Sequence, residues 1–323
     1  MERKLLKIII FIMIITNIYA KDLVNLYRFE GINSVESELE NTLKDVNYWK
    51  EYLENKNVEY GYYEYKKFIL LAQKEQLEIS LFEVVGDEKK LVLRNNVIVG
   101  EITGDKLIEG DKKTPEGVYD LVEKKTNLDQ FYGPLALVTS YPNTFDKSLS
   151  KNGHGIWIHG MPFETQREEF TQGCIALDNS DLLTLDKSID IKKTVLLTSQ
   201  NDLKKATKNE IALILSTIFK WKDAWKYSDI NEYLAFYSKD FKKSDKSGIK
   251  EFEDHKRRVF SKNEKKTIKF SNIDISPYPN SLGKNMYKVF MDEEYLSPTV
   301  TFYGKKELFL EIKDEQVFIL SED

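Results

Sequence analysis

The chain has 323 residues, a formal net charge of −5, 41% hydrophobic and 31% charged residues. That length is too great for one minimal domain and suits two or three. The mild acidity, with no strongly basic block, argues against a nucleic-acid partner, and the plentiful aromatics and recurring apolar runs argue against a disordered chain.

Residues 1–20 stand apart. MERKLLK is a basic start, IIIFIMII a short apolar core and NIYA a small-residue end before Lys21, the layout of a cleavable signal peptide. An uncleaved anchor and a buried strand are the alternatives. The run is shorter than the roughly 20 residues a spanning helix needs, so export with cleavage is the reading adopted. Export bears on Cys174, the sole cysteine. It cannot form a disulfide within its own chain, so it is either a buried bystander or a thiol kept because it reacts.

Residues 21–76 read as an N-terminal helical module. From Asn33 to Asn55, Val35, Leu39, Leu43, Val46, Trp49 and Leu53 follow one helical stripe, and Asn33 with Glu36 resembles a capping box. The tyrosine-rich EYGYYEYKKFILLAQ follows as a second segment of the module. Short helices bury little alone, so the module packs on the next domain or on a second subunit, and it is a candidate for dimerisation.

Texture changes near Leu77. LEISLFEVV, KLVLRNNVIVGEIT, GVYDLVEK, LALVTSYPN, GIWIHG and TVLLTS are β-type runs separated by turn signals such as GDEKK and TPEG. Residues 77–200 therefore form a mostly-β domain, with one helix at NSDLLTLDKSI capped by Asn179 or Ser180. After a polar linker, residues 208–323 run from helices, including one from about Ile249 to Phe260, into a series of strands. The whole is a multi-domain α+β protein.

One window holds two of the three histidines and the only thiol: HGIWIHGMPFETQREEFTQGCIAL, residues 154–177. GIWIHG alternates as a strand and ends at Gly160, which puts His159 at the rim of a sheet. A thiol is a strong nucleophile as thiolate, and a nearby imidazole favours that form. The amides of Gly173 and Cys174 are candidates to hold an oxyanion. His154, five residues before His159, faces the other way if the strand runs straight, and is either a substrate contact or a structural histidine. Trp157 shares the face of His159 and either walls the cleft or packs beneath it. The window lacks a compact Cys/His ligand set for structural zinc.

IHG followed by TQGC resembles the His-Gly and Ser/Thr-x-Gly-Cys signature of the L,D-transpeptidase catalytic-domain family, and GDKKTPEGVYDL and FYGPLALVTSYPN agree with that family's layout. The resemblance implies Cys174 as nucleophile, His159 as its base and the Gly160 carbonyl as the group orienting the imidazole. It implies no metal or other cofactor. His154, Trp157, Thr171, Arg167 and the position of Ala176 are the candidate substrate-binding residues. One departure stands out: the family usually carries arginine two residues after the cysteine, where this chain has Ala176. Either another basic residue substitutes for it, Arg167 and Lys151 being the candidates, or the substrate is held differently.

FKWKDAWKYSDINEYLAFYSKDF is similar to the opening helices of the nuclear transport factor two-like fold, its aromatics filling the core. Together the segments resemble the three-domain cell-shape-determining L,D-carboxypeptidases of helical Gram-negative bacteria. That resemblance implies a periplasmic enzyme removing terminal D-alanine from peptidoglycan stem tetrapeptides, with a homodimer and cell-shape proteins as candidate partners. An L,D-transpeptidase forming crosslinks or exchanging D-amino acids, and a non-catalytic wall-binding scaffold, are the alternatives.

Overall fold

The structure is a computed structural model that describes residues 22–163 and 169–323. The signal-peptide reading of residues 1–20 lies outside the described residues, as does Arg167. Among the described residues, no helix is long and apolar enough to cross a membrane.

The chain opens on α1, residues 22–30, then α2 (Ile32–Lys44) and α3 (Val46–Tyr52). The expected single helix over Asn33–Asn55 is thus two. The break falls at Asp45, whose extended backbone leaves the helix and whose carboxylate accepts from Asn47 N to start α3. The expected Asn33 cap is absent, because the N-cap of α2 is Gly31 without a side-chain bond. These helices pack on their own C-terminal domain. Trp49 stacks on Phe219 with ring centroids 5.7 Å apart. Lys222 and Lys226 both reach Glu40, at 3.2 and 3.1 Å.

The tyrosine-rich segment is β structure, not part of a helical module. Tyr62–Tyr63 (β1) joins the C-terminal sheet, and Phe68–Gln73 (β2) enters the central one. The central sheet adds β3 (Glu78–Val85), β4 (Glu88–Asn96), β5 (Gly117–Lys125), β6 (Ala136–Thr139), β7 (Trp157–His159), β8 (Ile175–Ala176) and β9 (Thr194–Ser199). Its spatial order is β4-β3-β2-β9-β5-β6-β7-β8. Helix α4 (Thr144–Ser148) follows β6, and α5 (Asn179–Ser188) follows β8.

The middle strands are buried on both faces, which explains their unbroken apolar runs. Along β2, Leu70 and Ala72 join one core with Tyr119, Leu121, Ile158 and Leu196. Ile69 and Leu71 join a second core with Val118, Phe145, Val195 and Leu197 on the opposite face. That second core takes in Tyr278, Met286, Phe309 and Leu320 of the C-terminal domain, so one apolar layer joins the two domains. A buried charge network lies beside it. Lys66 Nζ is 2.6 Å from Asp120, and Lys288 Nζ is 2.7 Å from Glu307 and 3.5 Å from Asp120. Burial works against the Asp120 carboxylate, but the Lys288 and Lys66 ammonium groups outweigh it and hold its pKa below the usual range.

The C-terminal domain is α6 (Lys208–Lys226), α7 (Ile230–Ala235) and α8 (Ile249–Phe260) against the antiparallel strands β10 (Thr267–Pro277), β11 (Met286–Leu296), β12 (Thr301–Lys313) and β13 (Gln316–Glu322). Helix α6 starts with a capping box between Thr207 and Glu210. Phe219, Trp221, Tyr233 and Tyr237 are buried in the core this domain shares with α3, as expected of that aromatic stripe, and Phe252 and Phe260 of α8 join them.

Candidate active site

The short strands β7 and β8 are parallel neighbours, pairing Ile158 with Ile175 and His159 with Ala176. This register sets Cys174 level with Trp157. Cys174 directly precedes β8, so it enters the sheet beside Trp157, two residues before the end of β7 at His159. The sulfur contacts the strand backbone directly: Trp157 N lies 3.4 Å from Cys174 Sγ, which in turn lies 3.3 Å from the Gly155 carbonyl oxygen.

His159 is 1% exposed. Its Nδ1 is 2.8 Å from the carbonyl oxygen of Gly160, the group expected to orient it. The turn at Gly160 is fixed from two sides. Gly160 N donates to the Tyr132 carbonyl at 2.9 Å. Asn179 accepts from Met161 N at 2.8 Å and donates to Met161 O at 3.1 Å. A Cβ at Gly160 would lie 2.2 Å from Asn179 Oδ1, so the close approach requires glycine. Asn179 therefore pins this loop, while Asp178 takes the N-cap position of α5 without a side-chain bond. That differs from the expected capping role of Asn179 or Ser180.

Tyr132 belongs to the site, although the sequence alone does not single it out. Its ring meets His159 edge-on at 5.1 Å between centroids and meets Trp157 at the same 5.1 Å. Only the FYGP stretch that carries it was a signal. Trp157 is half-buried under that ring, on the face of His159 as expected.

Three expectations for the cysteine turn change. Thr171 is buried, and its Oγ1 donates to the Cys174 carbonyl at 2.7 Å while accepting from Gly173 N at 2.9 Å. It orders the turn rather than facing substrate. The Gly173 amide is therefore committed to Thr171 and does not point into the cleft. What demands glycine at position 173 is its φ of +128°, with an added Cβ falling 2.7 Å from the Lys113 carbonyl oxygen. Ala176 is fully buried, pairs with His159 and bridges Ile98, so it offers substrate no surface.

Lys151 does not replace the missing arginine. Its ammonium is buried between Asp105 and Asp146, at 2.6 and 2.9 Å. His154 lies outside β7, so the face argument from strand alternation does not apply to it. It is exposed, 3.5 Å from Glu109, one residue before the carbonyl that touches the sulfur. His255 is exposed on α8, and burial with the neighbouring Lys256, Arg258 and Lys243 charges lowers its pKa.

Residues 72–197 match the L,D-transpeptidase catalytic domain (YkuD), and residues 213–323 match the Cds6 C-terminal NTF2-like domain. Among solved structures, the helical cell shape determining protein Pgp2 from Campylobacter jejuni is 37% identical, with a TM-score of 0.83 over 87% of this chain and 100% of that one. A point mutant of Pgp2 superposes with a TM-score of 0.84 over 87% of this chain and 99% of that one. Bd1075 from Bdellovibrio bacteriovorus is 26% identical, with a TM-score of 0.64 over 83% of this chain and 96% of that one. No curated protein sequence matches the chain.

Proposed function

We propose, from the premise that this chain belongs to the family of L,D-transpeptidase-domain proteins with an NTF2-like C-terminal domain that includes Pgp2, that it is a periplasmic peptidoglycan L,D-carboxypeptidase affecting cell shape. The observation that carries the reading is the Cys174 sulfur set against the backbone of β7, the strand that ends on His159, with the imidazole anchored on the Gly160 carbonyl. The substrate is a stem tetrapeptide, cut between the L-centre of its diamino acid and the terminal D-alanine.

A carbonyl oxygen only accepts, so the Gly160 contact places the proton of a neutral His159 on Nδ1 and leaves Nε2 to take the thiol proton. The Cys174 sulfur attacks the scissile carbonyl, and the Cys174 amide steadies the oxyanion. The Gly173 amide is not assigned that task, since Thr171 occupies it. As the C–N bond breaks, His159 returns the proton to the amine and D-alanine leaves. Water then attacks the thioester, giving the tripeptide and restoring the thiol. His154, exposed beside the Gly155 carbonyl, and Trp157 are the residues assigned to the stem peptide.

An amine in place of water would make the enzyme a transpeptidase. The buried Ala176 and the buried Lys151 favour hydrolysis, because neither supplies a cation to fix a carboxylate in the cleft. Incubation with tetrapeptide in the presence and absence of an amine acceptor tests this. Tripeptide in both arms supports hydrolysis, and an acceptor-containing product contradicts it. The N-terminal helices expose the apolar side chains Val24, Tyr27, Phe29, Ile32 and Leu39, which supports pairing with a second copy.

A further inference from the structure

Two walls flank the Cys174 turn, and both are rooted in one buried cluster. The first wall, residues 105–114, starts at Asp105 and ends where the Lys113 carbonyl crowds Gly173. Lys106 pairs with Asp111 at 2.7 Å, and Asp111 also accepts from Leu107 N and Ile108 N, so this wall is internally braced. The second wall, residues 151–157, starts at Lys151 and carries Gly155 O and Trp157 N to the sulfur. The walls are joined by Asn152 N to Leu107 O at 3.0 Å and by Glu109 N to Asn152 Oδ1 at 2.7 Å.

At the common root, Lys151 sits between Asp105 and Asp146, with all three side chains at most 5% exposed. One cation between two buried carboxylates is a weak device for stability alone, because desolvation opposes the attraction. Burial by itself would lower the Lys151 pKa, but the Asp146 and Asp105 charges raise it, so it stays an ammonium. The C-terminal domain closes the cluster. Ser281 Oγ donates to Asp105 at 3.3 Å. Asn143, which caps α4 together with Asp146, donates to the Tyr278 hydroxyl at 3.0 Å.

We propose that Lys151, with Asp105, Asp146 and Ser281, is a positioning cluster through which the C-terminal domain aligns the two walls on the Cys174 thiol. It rests on the reading of Cys174 as the nucleophile and deepens it: catalytic efficiency depends on the C-terminal domain through this cluster.

The test uses the chain from residue 21 to 323 and two readouts, D-alanine release from tetrapeptide and the rate of Cys174 alkylation by iodoacetamide. The second needs no substrate and reports one thiol, since the chain has one cysteine. Ser281→Ala removes one hydrogen bond at the domain boundary and is expected to melt within about 3 °C of wild type. It is expected to lower kcat about threefold with KM unchanged and to change the alkylation rate, with Ser281→Thr restoring both. Lys151→Met is expected to lower kcat about 100-fold, as a misplaced reacting group does. Folded variants with wild-type kcat and alkylation rate would overturn the proposal. Should Lys151→Met not fold, Ser281→Ala decides alone. Should wild type release no D-alanine, the functional reading fails, and the alkylation rates of the variants still decide the positioning role.

Discussion

The Nδ1 atom of His159 lies 2.8 Å from the carbonyl oxygen of its own chain neighbour, Gly160. This contact does by backbone what an acidic third member does in other nucleophile–base pairs: it selects the tautomer and holds the ring. Its precision depends on the turn that aims the carbonyl, and that turn hangs on Asn179 and Tyr132.

Asn179→Ala is expected to leave both Met161 backbone groups without their bonds. We predict a loss of about 1–2 kcal/mol in stability and about tenfold in kcat. Urea unfolding and tetrapeptide turnover measure the two effects. A variant with unchanged turnover would show that the Gly160 carbonyl is aimed by something else.

Tyr132 acts on His159 and Trp157 through its ring. Tyr132→Phe is expected to keep turnover within about twofold of wild type, and Tyr132→Ala to lower it at least tenfold, in keeping with an aromatic contact worth about 1 kcal/mol plus lost positioning. Steady-state kinetics on both variants decides this. Equal losses in the two would move the role from ring to hydroxyl.

Thr171→Val replaces the hydroxyl that serves both Gly173 N and Cys174 O. It is expected to cost about 1–3 kcal/mol by leaving buried groups unpaired, while Thr171→Ser, which keeps the oxygen, stays within about 1 kcal/mol of wild type. Denaturant unfolding of the pair checks it.

Asp274 on β10 accepts from Tyr65 N at 2.9 Å and Lys66 N at 3.3 Å. Burial pushes its carboxyl up from 3.8 to about 6, against those backbone bonds and the Lys66 charge. Its folded pKa thus exceeds the unfolded one, so its contribution to stability is full below about pH 4 and is lost as pH rises to about 6, on the order of 3 kcal/mol in all. Asp274→Asn is expected to flatten the stability profile in that window. A variant with the wild-type slope between pH 4 and 6 would assign the titration to another group.

The window around the thiol was legible because its signals are local. His159 does end a strand at a turning glycine, and α5 and α8 fall where their patterns placed them. Other features depend on partners remote in sequence. FILLA, a continuous apolar run in β2, looks alike in a buried helix and a strand covered on both faces, and only its pairing with β9 decides between them. Tyr132 reaches His159 from the short turn that precedes β6, with no spacing to mark it. The role of Thr171 is local, yet a hydroxyl near a nucleophile suits substrate contact as well as turn ordering until its bonds are seen. Lys151 looked like a spare cation, and only the folded chain buries it between two carboxylates.

The central claim is that Cys174 attacks the tetrapeptide and that water completes the reaction. The direct measurement is mass analysis of tetrapeptide incubated, without an amine acceptor, with residues 21–323 of wild type and of Cys174→Ala. The account predicts tripeptide and D-alanine in equal amounts from wild type and neither from the variant, with both proteins folded. Release of D-alanine by Cys174→Ala, or by wild type whose thiol is fully alkylated, would contradict it.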